Sequence, residues 1–186
     1  LKKLLAYSTV SALGMLVFLL GQPGEYALKA FVSLLVAHAL YKGAFFLLAG
    51  ALDHETGTRD AFELRGLARK LPWTAATCAL VALSAFGLAP FLGFLGKEYA
   101  ILAAKDAWSW IVLLGFVLGG GIAASRVGVV PFLGREPSHP EAHDPGWAMR
   151  AGPLVLALGG LGIGVAVGAL GPAFLSPMAQ ATAGSD

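Results

Sequence analysis

The chain has 186 residues, of which 57% are hydrophobic and only 13% charged, with a net charge of +2 and a mean hydropathy of +0.74. Soluble domains carry about 25% charged residues, so this composition excludes an ordinary soluble enzyme and points to a membrane protein. The small net charge gives no footing for nucleic-acid binding, and the single cysteine, Cys78, excludes an internal disulfide.

Stretches of about 20 apolar residues mark membrane crossings. In chain order the sequence predicts five. The first is 4–20, closed by the turn Gly21-Gln22-Pro23-Gly24. The second is 27–52, followed by a polar loop over 53–71. The third, 73–104, is too long for one straight crossing at 1.5 Å per residue. It contains Gly87, Pro90 and Gly93, the expected mark of a discontinuous helix. Cys78, in the same span, reads as a small packing residue. The fourth span is 108–130. A Pro-, His- and Glu-rich stretch over 134–146 precedes the fifth, about 151–175. The expected fold is therefore all-α: a polytopic membrane helix bundle of about five spans, one of them discontinuous. No soluble-type boundary appears. The chain begins LKKLLAYST without Met, and the expectation is a piece of a longer polytopic protein.

Lys and Arg counts orient the bundle. With five crossings, Lys2, Lys3, Arg59, Arg65, Arg69, Lys70, Arg126, Arg135 and Arg150 fall on the N-terminal side, against Lys29 and Lys105 on the other. That side, including the N-terminal end and loop 53–71, is expected to be cytoplasmic. The bias holds only if 73–104 crosses once. A re-entrant hairpin there would place Arg126, Arg135 and Arg150 opposite the other basic residues.

Two lysines sit inside apolar runs. A charge at the bilayer centre costs about 2.5–3.5 kcal/mol on insertion scales, and such residues usually face a bundle interior or wet cavity and carry ions or protons. Lys42 lies four residues after His38, so the two share one helix face. A histidine accepts and passes protons, and a lysine in a low dielectric is able to alternate between charged and neutral forms. The plainer alternative is a histidine bonded to a neighbouring helix and a structural lysine. Lys97 and Glu98 follow the break GLAPFLG. Unwound backbone at membrane depth is tolerated where it is buried in protein or lines a wet cavity, so Lys97 is placed to accept a proton. Glu98 projects about 100° around the helix from it and is a possible further member. The alternative is that both approach the surface and are solvated.

Ser8, Thr9 and Ser11 suit hydrogen bonds across helices or water near a pathway. Asp53, His54 and Glu55 cluster in the predicted loop but lack any familiar metal-ligand spacing. His139 and His143 sit among prolines, and no site is assigned to them. The pairs Gly115/Gly119, Gly160/Gly164 and Gly164/Gly168 are small-residue spacings that permit close helix packing. No metal site and no cofactor are expected.

The stretches LKKLLAYSTVSALGMLV, AHALYKGAFFLLAGALDHETGTRD and LPWTAATCALVALSAFGLAPFLGFLGKE resemble the C-terminal half of the antiporter-like subunits. That family includes the large proton-pumping subunits of respiratory complex I and the MrpA-type subunits of Mrp-type Na+/H+ antiporters, and HALYKGAFFLLAGALDHETGTRD looks closer to the latter. The resemblance covers residues 1–130 and divides the chain into that module and a segment, 131–186, holding the polar loop and a further span. It implies discontinuous helices, inverted repeats and a mid-membrane chain of Lys, His and Glu. On matching positions Lys42 corresponds to the lysine of the central relay, His38 to the histidine one turn before it, and Lys97 to the lysine at the second broken helix. Lys2 corresponds to the lysine of an LKRLLAYST-like stretch, although membrane-surface anchoring also explains it. Where many members carry a further histidine, this chain has Leu34.

The resemblance implies a component of a secondary transporter rather than an enzyme. It would move protons through Lys2, His38, Lys42 and Lys97 coupled to the export of Na+, with other membrane subunits as partners, in the inner (plasma) membrane. The alternative is a proton-pumping subunit of an NADH:quinone oxidoreductase, which would make it part of a translocase. A third reading is a non-transporting membrane scaffold.

Overall fold

The computed structural model describes residues 1–183, the last fourteen of these as helical backbone only. Six helices follow one another: α1 (Lys2–Leu20), α2 (Glu25–Thr56), α3 (Pro72–Phe86), α4 (Leu92–Ala103), α5 (Ala107–Gly128) and α6 (Trp147–Ala183). Among the described residues there is no strand. Four of the helices are long and apolar enough to cross a membrane, and α3 is a shorter apolar helix. The bundle is a multi-pass membrane protein of the expected all-α class.

The region 73–104 is broken as expected, into α3 and α4. The reason is local. Gly87 adopts a left-handed conformation (φ 75°), which side-chain-bearing residues reach only at a cost. Its N–H donates to the Ser84 carbonyl at 3.1 Å, and that of Leu88 to Leu83 at 3.1 Å, the pattern of a Schellman ending. The chain resumes helix at Leu92.

α3 and α4 together cross once. The N–H groups of Trp73 and Thr74, at the start of α3, both donate to the Asp144 carboxylate, each at 3.0 Å. This is the end where Gly66 N–H meets the Leu133 carbonyl at 2.6 Å and Ser138 N–H meets Arg65 at 3.0 Å. The far end of α4, at Ala103 and Ala104, lies against Phe18, Leu19 and Gln22 at the opposite end of α1, beside Ser109 of α5. Loops 57–71 and 134–146 thus share one end of the bundle, where the Arg126 guanidinium also lies over the Phe62 ring at 4.8 Å.

Two expectations need correction. The polar segment after the second span does not begin at residue 53: α2 runs to Thr56 and ends at left-handed Gly57. Asp53, His54 and Glu55 are its last turns. The fifth span also starts earlier than 151, at Trp147. Residues 184–186 of the expected 131–186 segment lie outside the described residues.

The apolar core has two parts. One gathers Leu5, Phe45, Leu48, Leu52, Val81 and Val127 toward the loop-bearing end. The other gathers Met15, Leu19, Ala30, Leu34, Ala100 and Leu113 toward the opposite end. The polar residues discussed next lie at the seam between them.

α6 covers the break. A Cβ on Gly164 would run into the Pro90 carbonyl and the Phe91–Leu92 backbone, and Gly160 lies near Ser84. The Gly160/Gly164 spacing is therefore a true close-packing face. Gly115, Gly119 and Gly168 have no atom within 4 Å of an added Cβ among the described residues, so the other two pairs do not pack as pairs among these residues.

Candidate functional site

α2 is unbroken for 32 residues, and His38 and Lys42 are buried on its inner face at 9% and 8% exposure. The Lys42 ammonium donates to the Leu5 carbonyl of α1 at 3.1 Å and, at short range, to the Ser8 hydroxyl. Ser8 and Thr9 hydroxyls also donate to the Leu5 carbonyl, at 3.0 and 2.9 Å. That carbonyl is the polar focus of α1.

Lys97 is held differently. Its ammonium donates to the carbonyls of Ala85 and Phe86, both at 2.8 Å. The last four carbonyls of a helix have no partner within it. At the end of α3 the accounting closes: Leu83 is met by Leu88 N–H, Ser84 by Gly87 N–H, and Ala85 and Phe86 by Lys97. The helix C-terminus also carries partial negative charge that favours a cation. The break thus makes the acceptor for a lysine that follows it eleven residues after Phe86.

Among the described residues, no carboxylate lies within ion-pair distance of Lys42 or Lys97. Their only described partners are backbone carbonyls and a hydroxyl. Both line one partly open cavity of about 20 Å³ with Ser8, Ser11 and Tyr41, a volume with room for one water. Lys97 also borders a larger cleft of about 270 Å³ between α4 and α5, shared with Glu98 and Trp110. Glu98 is exposed and stands beside Lys97 without pairing to it.

Lys2 is not in this group. Its ammonium pairs with Asp53 at 3.4 Å at the loop-bearing end, where Arg59 also binds Asp53 at 2.8 Å. Its side chain is half exposed. The structure therefore brings together Lys42 and Lys97, places His38 one turn from Lys42, and leaves Lys2 at the bundle's surface. Leu34, at the position where the resemblance would allow a further histidine, is buried against Gly96: an added Cβ there would lie 2.8 Å from the Leu34 Cγ. That contact lets α4 approach α2 closely one residue before Lys97.

Three features escaped the sequence reading. Tyr41 bonds the His38 ring through its hydroxyl, 2.9 Å from Nδ1; its i+3 spacing from His38 was the available signal. Asp144 caps α3 from 70 residues away, its carboxylate also accepting from the Thr74 hydroxyl at 2.8 Å. Glu55, whose side chain is 6% exposed, takes His54 and His143 at 3.0 and 3.1 Å. No group of three metal-ligating side chains converges among the described residues.

The family model described as "NADH:quinone oxidoreductase/Mrp antiporter, TM" matches residues 1–123. The chain is 36% identical over 122 residues to NADH-quinone oxidoreductase subunit N of Desulforudis audaxviator, covering 66% of this chain and 24% of that protein. It is 46% identical over 113 residues to the putative antiporter subunit mnhA2 of Staphylococcus saprophyticus, covering 53% of this chain and 14% of that one. A solved structure of the membrane-bound sulfane sulfur reductase, an archaeal respiratory membrane complex, superimposes with a TM-score of 0.72 at 27% identity, over 84% of this chain and 26% of that one. The chain spans a quarter or less of the curated relatives it matches.

Proposed function

Because the chain belongs to the NADH:quinone oxidoreductase/Mrp antiporter transmembrane family, we propose that it forms part of a cation/proton antiporter and carries one portion of its proton path. The observation that carries this reading is the cavity shared by Lys42 and Lys97. Two ammonium groups on one cavity, with no carboxylate partner among the described residues, repel each other. A water between them gives the proton a place to pass. Lys97 borders both this cavity and the wider cleft, so it has two sides from which exchange can act.

In this reading protons move among His38, Lys42 and Lys97. Charge coupling to a second ion, Na+, drives it in the opposite direction. Lys2, paired with Asp53 at the loop-bearing end, serves at the cytoplasmic end of the path, where protons leave as Na+ is exported, rather than in the central relay. The orientation follows the clustering of basic residues at that end. The partners are other membrane subunits of a hetero-oligomeric complex in the plasma membrane.

The test is Lys97→Arg in the full-length complex, assayed for Na+/H+ exchange in membrane vesicles. Arginine keeps hydrogen-bond donors for the Ala85 and Phe86 carbonyls but stays charged at all working pH values. Exchange is expected to fall by about 100-fold, with the complex still assembled. Undiminished exchange would remove Lys97 from the mechanism.

A second reading, a proton-pumping subunit of an NADH:quinone oxidoreductase, is favoured by the 36% identity to the Desulforudis audaxviator oxidoreductase protein, which covers more of this chain than the antiporter match does. Co-purification with flavin and iron–sulfur subunits would support it. Na+-stimulated exchange without quinone reduction would support the antiporter.

A further inference from the structure

His38 and Lys42 share a helix face, yet each is bonded elsewhere. Lys42 donates to Leu5 and Ser8 on α1. His38 meets only the Tyr41 hydroxyl, through Nδ1 at 2.9 Å, and its Nε2 is buried with no hydrogen-bond partner among the described residues. A proton leaving the lysine cavity has no direct bond to follow to the imidazole. Tyr41 is the residue that touches both. Its ring packs edge-on against His38, centroids 5.2 Å apart at 78°, and Tyr41 is among the residues that line the cavity Lys42 and Lys97 share.

We propose that Tyr41 passes protons between the Lys42/Lys97 cavity and His38. This rests on the proton-path reading above. A phenol both donates and accepts a hydrogen bond, so it relays a proton without changing its own charge. In the step, Tyr41 Oη gives its proton to His38 Nδ1 as it accepts one from a water in the cavity. That water is in turn re-protonated by the ammonium of Lys42 or Lys97. One ammonium becomes an amine, one imidazole becomes imidazolium, tyrosine and water end as they began, and no electron moves.

The step requires neutral His38 to present a bare Nδ1 and carry its hydrogen on Nε2. The Tyr41 hydroxyl donates to a bare Nδ1 or accepts from Nδ1–H, so it serves that form of the ring, and it is the one bond this ring makes among the described residues. The other groups facing the hydroxyl's cavity are few. α1 offers Ser8 and Ser11, α4 offers Lys97, and α2 itself offers Lys42; α3 and α5 contribute only apolar residues and glycine there. Ser8 already receives the Lys42 ammonium, which leaves Tyr41 as the hydroxyl that reaches His38.

The test uses the whole complex in vesicles. Tyr41→Phe keeps the ring and its packing on His38 and removes only the oxygen. Exchange is expected to drop by about 100-fold, at an unchanged amount of assembled complex. Replacing Tyr41 biosynthetically with a more acidic fluorinated tyrosine of the same shape is expected to move the pH of half-maximal exchange toward acid. An unaltered rate in Tyr41→Phe would overturn the proposal. So would loss in Tyr41→Phe combined with an unmoved profile for the fluorinated residue, because a hydroxyl that only packs does not respond to its own acidity. Full exchange in Lys97→Arg would instead remove Lys97 from the proton path, while its loss beside an active Tyr41→Phe would keep the proton-path reading and remove Tyr41.

Discussion

α2 and the α3–α4 pair each carry one lysine into the seam of the bundle, and they do it by opposite means. α2 stays continuous, so its own carbonyls are occupied, and Lys42 has to reach across to α1, where it shares the Leu5 carbonyl with two hydroxyls. The α3–α4 pair breaks, and the break frees two carbonyls at a helix end for Lys97. Lys97 is therefore tied to two orphan carbonyls of a helix end, while Lys42 is tied to one carbonyl already shared with hydroxyls and to one replaceable side chain. A lysine completing a helix terminus costs the fold something when it leaves, and a hydroxyl partner can be traded for water.

The comparison breaks most readily at Gly87. Gly87→Ala places a side chain in a left-handed position, at about 1–2 kcal/mol, and the new Cβ would lie 2.5 Å from the Lys97 Cδ. Thermal unfolding of the purified full-length protein in detergent should show the loss, together with weakened exchange. Gly115→Ala, where an added Cβ meets nothing within 4 Å, is the control and should leave both unchanged.

Next comes the contact that joins the two regions. Gly96→Ala drives a Cβ into Leu34 of α2 and should destabilise by about 1–3 kcal/mol, as overpacking does. Adding Leu34→Ala should return part of that, with a coupling above about 0.5 kcal/mol in a double-mutant cycle. Strict additivity would mean that α4 does not rest on α2 there.

The smallest effect belongs to the Lys42 side. Ser8→Ala removes one of two partners of Lys42, a loss of about 1 kcal/mol, and exchange should persist because water can replace the hydroxyl. If Ser8→Ala abolishes exchange while stability is unmoved, the hydroxyl belongs to the proton path and the two lysines are not held in the contrasting ways described.

Much of this was legible in the sequence because the signals were local. Gly87, Pro90 and Gly93 announced the break, and the asymmetry of basic residues required the single crossing that the ends of α3 and α4 display. Two lysines in apolar runs marked the site. What stayed hidden depended on distance or on orientation. Asp144 looked like one more polar residue in a loop, since nothing in its neighbourhood reveals that it meets α3. Asp53, His54 and Glu55 read as loop because composition alone does not separate a polar helix end from a turn; Gly57, just beyond them, was the true stop. Tyr41 passed for one more aromatic of an apolar run, although it stands one helical turn from His38. Lys2 drew attention through its surrounding motif, and only the fold shows it on the rim with Asp53.

The segment after α5 holds the broken crossing at two places. Asp144 holds the first turn of α3, and Gly164, on the helix that follows, presses on the backbone at Pro90–Leu92 where α4 begins. The two grips are joined by the first turns of α6, so they act like the jaws of a clamp along one broken crossing. Anything that tugs on α6 from outside, whether a neighbouring protein or a change in bilayer thickness, pulls on both jaws at once. The family match ends at residue 123, yet both of these contacts on the broken crossing come from beyond it, and a relative that replaced this tail would have to brace that crossing by other means.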